Sequence, residues 1–352
     1  MSNRPFPLFC LTLLTTITLT NCGSSETAKS GAPAQASNGK VKAGGATLPL
    51  IAYSEWPDAI KKEEPGLQMS YEAVGSGEGI KQFQGGQLDV AATDMPVPEE
   101  ELAKNPLKPV HLPTLISGVV PVYNLPGVKG DVKFTGEVLA GIFSGKIKTW
   151  NHPLLAKSNE GVELPAAPIV VMHRSEASGT TYVFTHYLSK VSPEFKTAVG
   201  EGLEVKWPAS KGVAGSMAMA EAVRATPNSI GYADLNFAEK AGSSIGLVQN
   251  AAGKYVKASL ESIGLAADSV PAVPDDFRMD ITNASGANAY PIATYTYLLV
   301  PTQIEDVAQR TKIRRFLQWV YQSGEKMAMQ SDYGILPPPV LRKVEARVDR
   351  IR

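Results

Sequence analysis

Ile169-Val170-Val171-Met172-His173-Arg174-Ser175-Glu176-Ala177-Ser178-Gly179-Thr180-Thr181 reads as an apolar strand ending at Arg174, a hydroxyl-bearing turn, and the opening of a helix. That succession belongs to α/β sheets, in which ligands sit beyond the carboxyl ends of the strands. Arg174 offers a planar, bidentate fork to an oxyanion, and Glu176, two residues on, is placed to hold it. Ser178-Gly179-Thr180 opens the next helix, whose unpaired N–H groups and positive dipole end favour an anion. The plainer reading is a surface ion pair followed by an N-cap at Ser178.

Two more segments of the same kind lie upstream. Ala46-Thr47-Leu48-Pro49 follows two glycines and a strand, and Pro49 suits a first helical turn. For Thr47 alone, capping is the simpler role. Gly75-Ser76-Gly77-Glu78-Gly79 lies between a strand-like run and Ile80-Lys81-Gln82-Phe83, and its glycines allow close approach of backbone to a ligand. As a motif it is weak, and a simple turn fits it equally well. Asp94 follows the strand-like 88–92 and precedes Met95-Pro96. A carboxylate beside an anion is sensible only where the anion carries a proton, which the carboxylate then accepts; a fully ionised anion is repelled. The bland alternative is a turn-stabilising Asp.

Around these segments, β-like runs (40–43, 67–73, 88–92, 110–123, 169–174, 229–233, 246–248, 292–300) alternate with helical ones (48–62, 135–144, 181–189, 212–225, 303–321). The alternation predicts an α/β protein. In the last helix, Ile313, Phe316, Leu317, Val320 and Tyr321 share one face. No internal repeat is visible.

The amino terminus reads as a secretory signal over 1–21, with Arg4 ahead of an apolar run at 8–19 too short for a membrane span. Leu19-Thr20-Asn21-Cys22 is similar to a bacterial lipobox, with Asn21 departing from the usual Gly, Ala or Ser; Cys22 is then the lipidated residue. The Gly/Ser/Ala-rich stretch 22–40 reads as a flexible tether. An ordinary cleaved signal with an incidental Cys is the alternative. Cys10 and Cys22 are the two cysteines, so the folded part has no disulfide. The remaining length, about 310 residues, favours two lobes. The 34 basic and 34 acidic residues balance, which argues against nucleic acid or anionic lipid as the main partner.

Taken in order, GGATLP (44–49), YEAVGSGEGIKQF (71–83), LDVAATDMP (88–96) and HRSEASGTTYVFTHYL (173–188) resemble the substrate-binding protein of bacterial high-affinity ABC phosphate transporters. VVPVYNLPG (119–127), GIFSGKIKTWNHP (141–153) and SIGYADLNFA (229–238) support the resemblance, which covers 41–345. It implies a two-lobed periplasmic-binding-protein fold with the ligand in the cleft: 41–116 plus 283–352 as lobe one and 117–282 as lobe two. It implies phosphate contacts from Thr47, Leu48, Ser76, Asp94, Arg174, Ser178, Gly179 and Thr180, with Glu176 supporting Arg174. It also implies membrane permease subunits as partners, an extracytoplasmic location, a monomeric state, and no cofactor or metal. Leu48 stands where the family usually has Phe, Glu176 replaces an Asp, and Ala177 replaces a Gly; the last two bear on how the Arg174 loop is held.

Two rival classes remain. An enzyme such as a phosphatase would need an activated nucleophile, but Ser76 and Ser178 have no evident His/Asp apparatus, and His111, His152, His173 and His186 show no metal-ligand spacing. A binding protein for another protonated oxyanion such as arsenate, or a phosphate sensor, keeps the same fold.

Overall fold

The computed structural model describes residues 39–352. The signal at 1–21, Cys22 and the tether up to residue 38 lie outside the described residues. Eight strands build the frame of the site: β1 (Gly39–Gly45), β2 (Leu67–Glu72), β3 (Val90–Thr93), β4 (Pro109–Asn124), β5 (Val170–Arg174), β6 (Lys211–Val213), β7 (Ser229–Asp234) and β8 (Ala293–Pro301). They lie side by side in the order β2-β1-β3-β8-β4-β7-β5-β6. β1 runs parallel to β2 and β3, and β5 runs parallel to β6 and β7.

β4 joins the two parallel groups. Pro109 to Gly118 pair antiparallel with β8, and from Val119 to Asn124 the strand pairs with β7 instead. Nearly every residue of β4 is buried, as expected for a Val/Ile/Leu-rich strand covered on both faces. Pro113 has no N–H to give the ladder, and the β8 register shifts opposite it, between Thr296 and Tyr297. The result is the two-lobed α/β fold expected from the sequence, with β4 passing from one half into the other.

Four helices follow strands directly at the site: α1 (Leu50–Glu63), α2 (Ser76–Gln84), α3 (Gly179–Val191) and α4 (Ser216–Ala225). The helix expected at 212–225 is shorter, because Lys211–Val213 form the edge strand β6 against Met172 to Arg174. β1 begins at Gly39 rather than inside a tether reaching 40, since Gly39 and Lys40 already pair with Leu67 and Gln68. The helix expected at 303–321 is Val307–Trp319, which continues through a π turn at Val320–Gly324 into Glu325–Gln330, and its five predicted core residues are buried. Among the described residues, no helix is long and apolar enough to cross a membrane.

β1 and α2 press together where the site begins. Gly45 has φ +125°, which suits glycine, and a Cβ on Gly79 would lie 2.3 Å from the Gly45 α-carbon. Gly79→Ala is expected to lower the unfolding free energy by about 1–3 kcal/mol, as overpacking does, in spite of the ~1 kcal/mol of helix propensity that Ala adds. Urea denaturation checks this; undiminished stability would mean that α2 does not bear on β1.

Candidate functional site

Five turns meet at one place, each beyond the carboxyl end of a parallel strand. β1 leads to Thr47, β2 to Ser76, β3 to Asp94, β5 to the Glu176–Ser178 turn, and β6 to Gly215-Ser216. The Thr47 turn is fixed through its backbone: Ala46 N–H donates to Ala92 O (2.9 Å), the Tyr71 hydroxyl to Ala46 O (2.5 Å), and the Tyr333 hydroxyl to Leu48 O (2.7 Å). The Leu48 side chain is buried in the core.

Arg174 is the centre of the cluster. It ends β5 and is only 3% exposed, and its N–H donates to the Tyr232 hydroxyl (3.1 Å), which also bonds to Thr181. Its guanidinium has five N–H groups, and all five are used. Nε and Nη2 donate to Glu176 Oε1; Nη1 donates to Thr180 Oγ1 (3.3 Å) and Ser216 Oγ (3.1 Å); Nη2 donates to Thr47 Oγ1 (2.9 Å). Thr47 comes from the β1 half, so this one cation ties the halves together. Thr47 therefore does not cap α1: the helix has no side-chain cap, and the Thr47 hydroxyl faces Arg174 and Ser216 instead.

Glu176 bonds the Arg174 guanidinium and reaches further. Its Oε1 also accepts from Gly215 N–H (3.0 Å), which registers α4 against the Arg174 loop. Ala177 lies across the halves as well, its carbonyl accepting from Gly77 N–H (3.0 Å) and its methyl filling the place that a Cβ on Gly77 would take.

Asp94 is 1% exposed. Its Oδ1 accepts from the Thr296 hydroxyl (2.6 Å), and its N–H donates to Ser76 Oγ (3.4 Å). Its Oδ2 is buried with no hydrogen-bond partner among the described residues. Burial pushes the Asp94 carboxyl up to about 7, against the opposing pull of Thr296 and Arg174. The start of α3 stands directly over it: a Cβ on Gly179 would lie 2.4 Å from both Asp94 Oδ2 and Ser76 Oγ. Ser178 caps α3, its Oγ accepting from Thr181 N–H at 3.4 Å, which is the plain role weighed for it.

All of Thr47, Ser76, Asp94, Arg174, Ser178, Gly179 and Thr180 are thus gathered in one buried cluster. The sequence reading missed Ser216 and Thr296. Ser216 had a signal, a Gly-Ser pair like Gly75-Ser76 after a strand, hidden by extending the helix back to 212. Thr296 has none, being one of several hydroxyl residues inside β8. Chemically, the cluster offers hydroxyls, a guanidinium and helix termini as donors, with two unpartnered carboxyl oxygens, Asp94 Oδ2 and Glu176 Oε2, as acceptors.

The family model described as "PBP superfamily domain" matches residues 28–324 of the chain. The phosphate-binding protein PstS of Xylella fastidiosa (strain Temecula1) is 38% identical, over 97% of this chain and 96% of that protein. The protein of the same name from Pasteurella multocida (strain Pm70) is 37% identical, over 87% and 89%. Among solved structures, a high-affinity periplasmic phosphate-binding protein, PfluDING, bound with phosphate, superposes with a TM-score of 0.69 at 24% identity, covering 87% of this chain and 93% of that one.

The buried carboxyl sets a pH dependence. Between the ordinary value of 3.8 and about 7, the folded state holds an Asp94 proton that the unfolded chain has released, so stability falls as pH rises through that window. Asp234, buried, bonded by the Ser117 hydroxyl and likewise pushed up to about 7, acts in the same direction. Asp94→Asn is expected to raise the melting temperature of the phosphate-stripped protein at pH 7.5 relative to wild type, with the gain shrinking toward pH 4. An equal gain at both pH values would mean that Asp94 ionises normally in the fold.

Proposed function

We propose that this chain, which belongs to the PBP superfamily and to the family of the phosphate-binding protein PstS, captures inorganic phosphate outside the cytoplasm and delivers it to an ABC transporter. The observation that carries the reading is the unpartnered, buried Asp94 Oδ2, which lies beside Ser76 Oγ and the Gly179 end of α3 and next to the Arg174 cluster of guanidinium and hydroxyl groups. A ligand suited to it must present several acceptor oxygens and one proton. Phosphate near neutrality does so, whereas sulfate brings no proton and meets a repulsive carboxylate. Arsenate, with the same shape and protonation, suits the same groups.

In this reading Arg174 and the hydroxyls of Thr47, Ser76, Ser178 and Thr180 take the phosphate oxygens, together with the N–H groups of Thr47, Leu48 and Gly179, while Asp94 accepts the phosphate proton. Binding draws Arg174 from some of its hydroxyl partners onto the ligand, and a charged hydrogen bond to an oxyanion replaces a bond to a neutral hydroxyl. With lobe one taken as 41–116 plus 283–352 and lobe two as 117–282, Thr47, Ser76 and Asp94 fall on one and Arg174 to Thr180 on the other. Each lobe then supplies part of the binding free energy, so phosphate favours the closed form, which the permease subunits receive. The role is capture without chemical conversion, with Cys22 lipidated to hold a monomeric protein at the membrane.

Isothermal titration of residues 39–352, stripped of co-purified ligand, is expected to give one-to-one phosphate binding and no sulfate heat at neutral pH; silence toward phosphate overturns the reading. Arg174→Ala should weaken phosphate binding by about 1.5–3 kcal/mol. Asp94→Asn should relax rejection of sulfate more than it weakens phosphate, and undiminished rejection would remove Asp94 from the proton-reading role. Membrane fractionation should find full-length protein in the pellet and Cys22→Ser in the soluble fraction.

A further inference from the structure

We propose that Ser216 is a further phosphate-binding residue, supplied by the amino-terminal turn of α4; this rests on the phosphate reading above. Ser216 is 3% exposed, and its Oγ lies 2.9 Å from Thr47 Oγ1 and 3.1 Å from Arg174 Nη1, while Arg174 Nη2 lies 2.9 Å from Thr47 Oγ1. The two hydroxyl oxygens and the guanidinium edge thus close one ring of direct hydrogen bonds.

The hydrogens of this ring do not all find an acceptor. Both oxygens accept from Arg174, so each still has its own O–H to donate. The contact between them uses one of those hydrogens. The other has no acceptor among the described residues, and a buried O–H requires one. A phosphate oxygen that takes the two Nη N–H groups replaces the hydroxyl oxygens as their acceptor and lets both hydroxyl hydrogens turn onto it.

The backbone supports the same assignment. Gly215 precedes Ser216 with φ 88° and ψ 152°, and Gly75 precedes Ser76 with φ 93° and ψ 150°. Neither α2 nor the ten-residue α4 has a side-chain cap. The two serines therefore hold equivalent first-turn positions, one in each half of the fold. Glu176 Oε1, bonded to both Gly215 N–H and Arg174, keeps Ser216 in register with the guanidinium.

The test is isothermal titration with phosphate on wild type, Ser216→Ala and Ser216→Thr, with thermal melts of each in the phosphate-stripped state. Loss of a hydrogen bond to a charged group predicts an affinity about tenfold or more weaker for Ser216→Ala, with Ser216→Thr retaining the hydroxyl and staying within about threefold of wild type. The same pair is then compared in an Arg174→Lys background. A Ser216→Ala loss that persists there supports direct contact; one that vanishes there makes Ser216 a positioning residue for Arg174 and overturns the proposal. Unchanged affinity of Ser216→Ala in a wild-type background that binds phosphate also overturns it, while a wild type that binds no phosphate overturns the phosphate reading itself. Should Ser216→Ala melt too low to titrate, Ser216→Thr against Ser216→Val, which matches Thr in shape and lacks only the hydroxyl, gives the same comparison.

Discussion

A guanidinium taken out of water must be fully satisfied or the structure around it will not hold. Removing a charged group from solvent costs several kcal/mol, and removal of a single partner leaves much of that cost uncompensated. Arg174 meets the requirement with partners from three places: Glu176 and Thr180 on its own loop and helix, Ser216 at the start of α4, and Thr47 from the other half of the fold. Much else in the site follows from holding that one cation. Tyr232 anchors its backbone, Glu176 reaches past it to Gly215, and Thr47 forgoes the capping role that its position before α1 would otherwise favour.

The carboxyl at Asp94 is the counterweight. In the proposed phosphate site, Arg174 by itself would meet sulfate as readily as phosphate. A buried carboxyl with one satisfied oxygen and one unsatisfied oxygen adds a demand for a proton. Gly179 matters here for a steric reason, because any side chain would occupy the space beside Asp94 Oδ2 and Ser76 Oγ. Burial raises the Asp94 carboxyl toward neutrality, so the selectivity proposed for this residue would come at a cost in stability.

The strand-turn-helix units were legible in the sequence because each is local. Ile169 to Thr181 carries its apolar run, its Arg and its helix-opening hydroxyls within 13 residues, and the Thr47, Ser76 and Asp94 turns are equally short-range. Where local signals are weak, sequence pattern and structure part. Lys211–Val213 is too short to show alternation and gains its strand character from pairing with β5, so by local pattern alone it and Ser216 fit the helix that follows. Thr296 lies 202 residues from Asp94 along the chain, and nothing in its own surroundings marks it as that carboxyl's partner.

The sequence by itself determined the α/β class, the helix openings and the residue types able to meet an oxyanion, because periodicity, glycine placement and capping act over a few residues. The tertiary structure decided which of those groups satisfy one another. Thr47 bonds Arg174 rather than its own helix, Ser178 caps rather than standing apart, Ser216 joins the cluster, and one oxygen of Asp94 is left without a partner. Those outcomes depend on β4 carrying the chain from one half into the other, which brings the strand ends of both halves to one buried point. Burial there removes water as a partner, so each polar atom is either paired across the fold or left to a ligand.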